Sequence, residues 1–378
     1  MDLVRAAALL ALAALPALGC TSMLGDFERV SGELASATAD AAPEGATTAT
    51  ATPDSADAST PGRPDDGGDA AAHGDARSED GGPGPGHGPT ILSTGEQNVY
   101  ALALDATHVY VTRHTTAGDV RALPLAGGPP VVLGQGIDGP TDLTLDGTGL
   151  LYFVTVGANA TWQLFDARVG VPGSARALFS PPPAGAAHGV AVDVGRAYVA
   201  QVSTANYASV LAFPRAGGAS TVIGSGPGKL GSVRERGTDV VWTDTANGRV
   251  YSASKTVANA LVALAVGMPQ PAELVLVGDT AVWLNHAAPG SAAIFAATIG
   301  VASSGKPIAS NLGAPTALAT DGVRVFFTDG ADLFSMSLDG TDRRLVAGNL
   351  GRPGPMAATP TTLVWYDGAT GVISKLTR

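Results

Sequence analysis

The second half of a β-hairpin-like pattern returns seven times along this chain. From Val99 onward a short apolar run, a tight turn and an aromatic-centred run recur as ALALDATHVYVT, TLDGTGLLYFVT, AVDVGRAYVAQ, RERGTDVVWTD, VLVGDTAVWLN, ATDGVRVFFTD and AATPTTLVWYD. The turns begin at Asp105, Asp146, Asp193, Arg236, Val277, Asp321 and Thr359, with gaps of 41, 47, 43, 41, 44 and 38 residues. That period is the size of a four-stranded β-propeller blade. Three residues before each turn stand Leu102, Leu143, Val190, Val233, Leu274, Leu318 and Met356. Five or six residues after its first position stand Tyr110, Tyr152, Tyr198, Trp242, Trp283, Phe326 and Trp365. Only 5% of the chain is aromatic, so a ring in every repeat marks a shared packing role. A blade cannot bury both of its faces alone, and a large ring fills the wedge against its neighbour.

The rest of each repeat supplies two more strands. DVRALPLAGG leads to PVVLGQG, SVLAFPRAGG to STVIGSG, and ADLFSMSLDG to RRLVAGNLG, each pair divided by a Gly-containing turn. The last repeat stops at GVISKLTR, its third strand, while Pro89 to Ser93 has the pattern of a fourth strand with no blade of its own. The expectation is an all-β fold: one seven-bladed β-propeller of four-stranded blades over residues 89–378, preceded by a signal peptide and a disordered linker. The first strand should complete the last blade and leave no open edge.

Composition agrees with many turns and few long helices, with Gly 50, Pro 26 and 15% charged residues. The net charge of −11 is unevenly spread: residues 21–90 hold 13 acids and 3 bases, and residues 91–378 hold 19 acids and 18 bases. A folded part so close to neutral implies no nucleic-acid partner and no anionic membrane surface.

Residues 1–19 read as a signal peptide, with Arg5 ahead of an apolar stretch from Ala6 to Leu18 that is too short to span a bilayer. The sole cysteine, Cys20, excludes an intramolecular disulfide. Ala17-Leu18-Gly19-Cys20 resembles the lipobox of bacterial lipoproteins, in which the cysteine is lipidated after cleavage; the alternative is a plain secretory signal with an incidental cysteine. The resemblance implies an exported, lipid-anchored protein of the cell envelope. Thr21, where Asp would signal inner-membrane retention, points it to the outer membrane. Residues 20–35 form the start of the mature chain. Residues 36–88, almost wholly Ala, Thr, Ser, Asp, Gly and Pro, should stay disordered and act as a tether. Its r.m.s. span would be on the order of 40 Å. His73 and His87 lie isolated within it.

The sixth repeat, with Phe327-Thr328-Asp329, Leu338-Asp339-Gly340 and Arg343-Arg344, resembles the YWTD repeat of low-density-lipoprotein-receptor propellers. Trp242-Thr243-Asp244 and Trp365-Tyr366-Asp367 carry the same motif. Over residues 89–378 the chain is similar to the wider group of YWTD-like, NHL-like and TolB-like bacterial propellers. The resemblance implies that Asp244 and Asp329 are scaffold.

No nucleophile elbow, phosphate loop, HExxH, calcium loop or CxxC occurs. Propeller sites are assembled from single residues of different blades, so the starts of the innermost strands are the places to look. They offer Tyr100, Asp142, His188, Ser232, Glu273 and Thr316, with Arg234 a little deeper. Tyr100, Asp142, His188, Arg234 and Glu273 form a candidate ring at the channel mouth, where a His, two carboxylates and an Arg converging could bind a metal or an anionic ligand. No catalytic residue, metal or cofactor is assigned. His114 and His286, at the ends of second strands, read as exposed loop residues. Two functions follow: a non-catalytic binding or scaffold module for an envelope protein or glycan, or a secreted hydrolase or lyase, lactonase-like, with its site in the channel. The absence of a paired acid and base favours the first.

Overall fold

A computed structural model of the chain describes residues 88–178, 184–257 and 260–378. The signal peptide, Cys20, the segment 20–35 and all but the last residue of the tether lie outside the described residues. The described chain forms 28 strands in seven antiparallel four-stranded sheets. The innermost strands of blades 1 to 7 are Val99–Leu104, Pro140–Leu145, Ala186–Val192, Leu230–Arg236, Pro271–Val277, Leu318–Thr320 and Pro353–Ala358. Each lies against the innermost strand of the next blade, and that of blade 7 returns to blade 1, so the ring is closed.

Closure is made by the first strand, as its sequence pattern implies. Thr90–Ser93 pairs antiparallel with Val372–Thr377, with Thr90 opposite Lys375 and Ser93 opposite Ile373. The link into blade 1 is pinned at Glu96, whose N–H donates to the Gly371 carbonyl at 2.9 Å. Ser93 Oγ donates to its Oε1 at 2.7 Å, and the Tyr366 hydroxyl donates to its carbonyl at 3.2 Å.

The hydrophobic core is divided into seven clusters, one in each seam between neighbouring blades. All seven column aromatics are at most 3% exposed, but they do not face the same way. Tyr110, Tyr152, Tyr198 and Phe326 fill the seam with the following blade. Trp242, Trp283 and Trp365 fill the seam with the preceding one. The cause is strand parity, since a shift of one residue turns a side chain to the other face of the sheet. The tryptophans stand six residues after the first turn position, whereas Tyr110, Tyr198 and Phe326 stand five after it. Tyr152 joins the second group because its turn is one residue longer, closing Asp146 N–H onto the Leu150 carbonyl where Asp105 closes onto His108.

The buried tyrosines bring a hydroxyl into the core, and the turn aspartates receive it. Tyr110 donates to Asp105 Oδ2 at 2.6 Å and Tyr198 to Asp193 Oδ2 at 2.8 Å. Tyr152 is reached from the next blade by Arg215, whose Nε donates to it at 2.7 Å and which also pairs with Asp146. Lys255 of blade 4 likewise bonds Asp193 of blade 3 at 3.0 Å, so these turn carboxylates tie blades together as well.

Candidate site at the channel mouth

The innermost strands are not regular where the candidate residues lie. In six of the seven, the ladder to the second strand slips. In blade 1 the slip leaves out Tyr100, between Val99 and Ala101. In blade 3 it leaves out His188, between Ala187 and Gly189. Asp142 falls in the slip between Pro140 and Leu143, and Glu273 in that between Pro271 and Leu274. A bulge re-aims a side chain that the ladder would otherwise fix. It also frees backbone N–H groups, and second-strand threonines accept them: Thr112 from Ala101 at 3.1 Å and Thr243 from Ser232 at 3.0 Å. In blade 6, where the ladder does not slip, Thr328 accepts the N–H groups of Thr316 and Ala317 just ahead of the strand, both at 3.0 Å.

Four of the five ring candidates come together. Asp142 of blade 2 accepts the Val190 N–H of blade 3 at 3.0 Å and Arg234 Nη1 of blade 4 at 3.3 Å. Arg234 Nη1 also donates to the Val233 carbonyl at 2.8 Å. Glu273 of blade 5 lies within the field of both Arg234 and Asp142, and Tyr100 of blade 1 within that of Glu273 and Asp142. His188 stands apart, with Lys229 as its charged neighbour. Tyr100 keeps 42% of its surface open and Glu273 is exposed as well, yet protein atoms crowd both. That combination describes groups lining a water-filled channel.

The surroundings set the protonation states. Crowding by the channel walls, and then the charges of Glu273 and Asp142, push the Tyr100 phenol up to about 12. Burial raises the Glu273 carboxyl, with Arg234 pulling it down and Asp142 pushing it up. Burial, and then Lys229, lower His188 to about 4, so it is neutral at pH 7. Among the described residues the side chains of Tyr100, His188 and Glu273 find no hydrogen-bond partner, so their polar atoms are available to a ligand. Among the described residues no three His, Cys, Asp or Glu side chains gather closely enough to hold a metal ion.

Thr316 turns away from the ring. Its hydroxyl donates to the Pro353 carbonyl at 2.8 Å and meets Thr328 Oγ1 at 2.9 Å, a strut between blades 6 and 7. Those two blades offer Ala317 and Pro355 at the register position of Asp142 and Glu273. The polar side of the mouth is therefore built by blades 1 to 5. Two further members escaped the sequence reading. Lys229 precedes its strand, outside the register shared by the other candidates, and His114, exposed at the end of a second strand, packs on Tyr100 with ring centroids 5.4 Å apart. His286 is half-buried rather than exposed, and burial lowers its pKa. The motif aspartates hold loops between blades: Asp329 Oδ1 accepts Gly313 N–H at 2.7 Å and Ala314 N–H at 3.0 Å. Asp244 accepts Asn247 Nδ2 at 2.9 Å, which also donates to the Pro227 carbonyl at 2.6 Å.

No protein-family model matches the sequence, and no curated protein matches it. Among solved structures, virginiamycin B lyase from Staphylococcus aureus aligns with a TM-score of 0.60 at 14% identity, covering 78% of this chain and 99% of that one. A streptogramin B lyase aligns at 0.59 and 14% identity, covering 77% and 97%. The computationally designed Ika8 protein aligns at 0.54 and 12% identity, covering 78% and 100%. At such identities the likeness is one of fold, and a fold shared by enzymes and a designed protein assigns no chemistry.

Proposed function

We propose that this chain is an exported lipoprotein, anchored in the outer membrane through Cys20, whose propeller is a non-catalytic binding module for an envelope protein or glycan. The ligand enters at the channel mouth. The observation that carries this reading is the ring itself: blades 1, 2, 4 and 5 bring Tyr100, Asp142, Arg234 and Glu273 together, and among the described residues the side chains of Tyr100, His188 and Glu273 find no hydrogen-bond partner. A concave site with a few convergent polar groups is what a ligand needs for orientation and specificity. The first strand begins at the end of the ring opposite this mouth, since Thr90 pairs with Lys375 near the end of the last strand and Ser93 with Ile373 near its start.

The catalytic alternative draws on the two lyases of the same fold and on the shifted Glu273 and His188. It has less support, because an acid and a base must share a reacting group, and the charged neighbour of His188 is Lys229, not Glu273. Site-specific photocrosslinking from position 100 in cells tests the binding reading. A crosslinked envelope component should be captured from that position and lost when Glu273 is replaced by Ala. Undiminished capture in the Glu273→Ala chain would count against the mouth as the site.

A further inference from the structure

A second recess lies far from the axis, where the outer strand of blade 1, Val131–Ile137, meets blade 2. The lower part of this seam is zipped by backbone hydrogen bonds, Gly173 N–H to the Val132 carbonyl at 3.1 Å and Ala175 N–H to the Leu133 carbonyl at 2.9 Å. Beyond Leu133 the two blades part and leave a cleft of about 540 Å³, within the size range of small-molecule sites. Glycines keep it open. Gly134 lies so close to Ala175 that an added Cβ would come within 2.5 Å of it, while Gly136, at φ +68°, has open space where a side chain would stand.

The chemistry of the walls is polar, with Asp138 the one charged side chain among the described lining residues. Gln135 and Gln163 both line the cleft, and among the described residues neither side-chain amide has a hydrogen-bond partner, so each offers a donor and an acceptor side by side. Asp138 spends Oδ2 on the Ala158 N–H at 2.8 Å and leaves its other oxygen free. Phe165 stacks on Phe153 at 4.9 Å and supplies the cleft with an apolar wall. Among the described residues no Lys, Arg or His lines it, so an anionic ligand finds no counter-charge there. Among the described residues no carboxylate and imidazole cluster there could hold a metal ion.

We propose that this cleft binds a neutral saccharide. Vicinal hydroxyls, each both donor and acceptor, match the two free amides and the free Asp138 oxygen, and the C–H face of a sugar ring matches Phe165. The inference goes beyond the channel-mouth reading and uses none of its residues.

The test is calorimetric titration of the full chain with a panel of neutral mono- and disaccharides, with calcium and inorganic phosphate as further probes. At least one saccharide should bind, Gln163→Ala should weaken it at least tenfold, and Glu273→Ala at the channel mouth should leave it unchanged. Gln135→Ala, at an exposed position, should also weaken it severalfold and guards against a folding defect in the Gln163 variant. The proposal is overturned if no neutral saccharide binds, if only calcium or phosphate binds, or if binding is lost in Glu273→Ala and kept in both glutamine variants. That last outcome would move the sugar to the mouth and leave the channel reading standing.

Discussion

Arg234 in blade 4 reaches past blade 3 to Asp142 in blade 2, bringing Nη1 to 3.3 Å from Oδ2. The pair draws three blades together at the axis, because the same carboxylate oxygen accepts the Val190 N–H of the blade between them. Arg234 also restrains Glu273, whose carboxyl it pulls down against burial. Removing it should therefore move Glu273 further up. NMR titration of the Glu273 side chain in Arg234→Ala should show a higher midpoint than in the unaltered protein; an unchanged midpoint would mean that the two charges do not share the mouth.

His188 makes stability depend on pH. Its folded value, about 4, lies below the ordinary 6.5, so below pH 6.5 the unfolded chain takes up a proton that the folded one refuses. The stability difference is present in full above about 6.5 and falls as pH drops through 6.5 to 4. His188→Gln should not lose it, and unfolding of both proteins between pH 7 and 4.5 should diverge by about 1–2 kcal/mol, allowing for channel water that screens the ring. Parallel curves would show that His188 is freely solvated. The turn aspartates destabilise both proteins equally in acid, which is why the difference is the quantity to measure.

Trp242 leans on blade 3, where a Cβ on Gly224 would come within 2.7 Å of its ring. Gly224 is not at positive φ, so a side chain there is opposed by the indole and not by the backbone. Gly224→Val should cost about 1–3 kcal/mol, and Trp242→Ala about 3–5 kcal/mol. In the double variant the valine occupies space the indole has left, and the loss should be smaller than the sum of the two. Strict additivity in denaturant unfolding would place Trp242 on the other face.

How the rings divide between the seams shows where sequence reasoning stops. The seven blades and the borrowed first strand were legible because turn spacing and apolar alternation are local properties. The direction of each ring was not, since it depends on the parity between turn and aromatic, and the longer turn after Asp146 hides that parity for Tyr152. The mouth was legible in part for a similar reason. Register located Tyr100, Asp142, His188 and Glu273, but bulges aim them, and nothing in the sequence set Thr316, which turns into a strut, apart from them. Lys229 and His114 come from loops, whose path around the ring is settled by packing between blades.

Loss of the first strand should open the ring. Deleting residues 89–94 removes the partner of Val372–Thr377 and with it the Ser93 bond to Glu96, leaving blade 7 with an exposed edge. The melting temperature should drop and aggregation on heating should rise; melting identical to that of the full chain would contradict closure by this strand.

The proposed anchor is a single sulfur atom, that of Cys20. Cys20→Ser should abolish acyl labelling and shift the protein to the soluble envelope fraction. Among the described residues no helix is long and apolar enough to cross a membrane. Sedimentation of the variant with membranes after a high-salt wash would transfer the anchor to a protein partner.

On the proposed reading the envelope ligand is received at the channel mouth and not at the opposite end of the ring. It is tested most directly by comparing photocrosslinking in cells from position 100 with that from position 194, where Val194 is 94% exposed beside the turn aspartate Asp193, at the other end of the ring. Position 100 should give a discrete adduct that disappears in Glu273→Ala, and position 194 should give none. Equal adducts from both positions, or an adduct from position 194 alone, would contradict it.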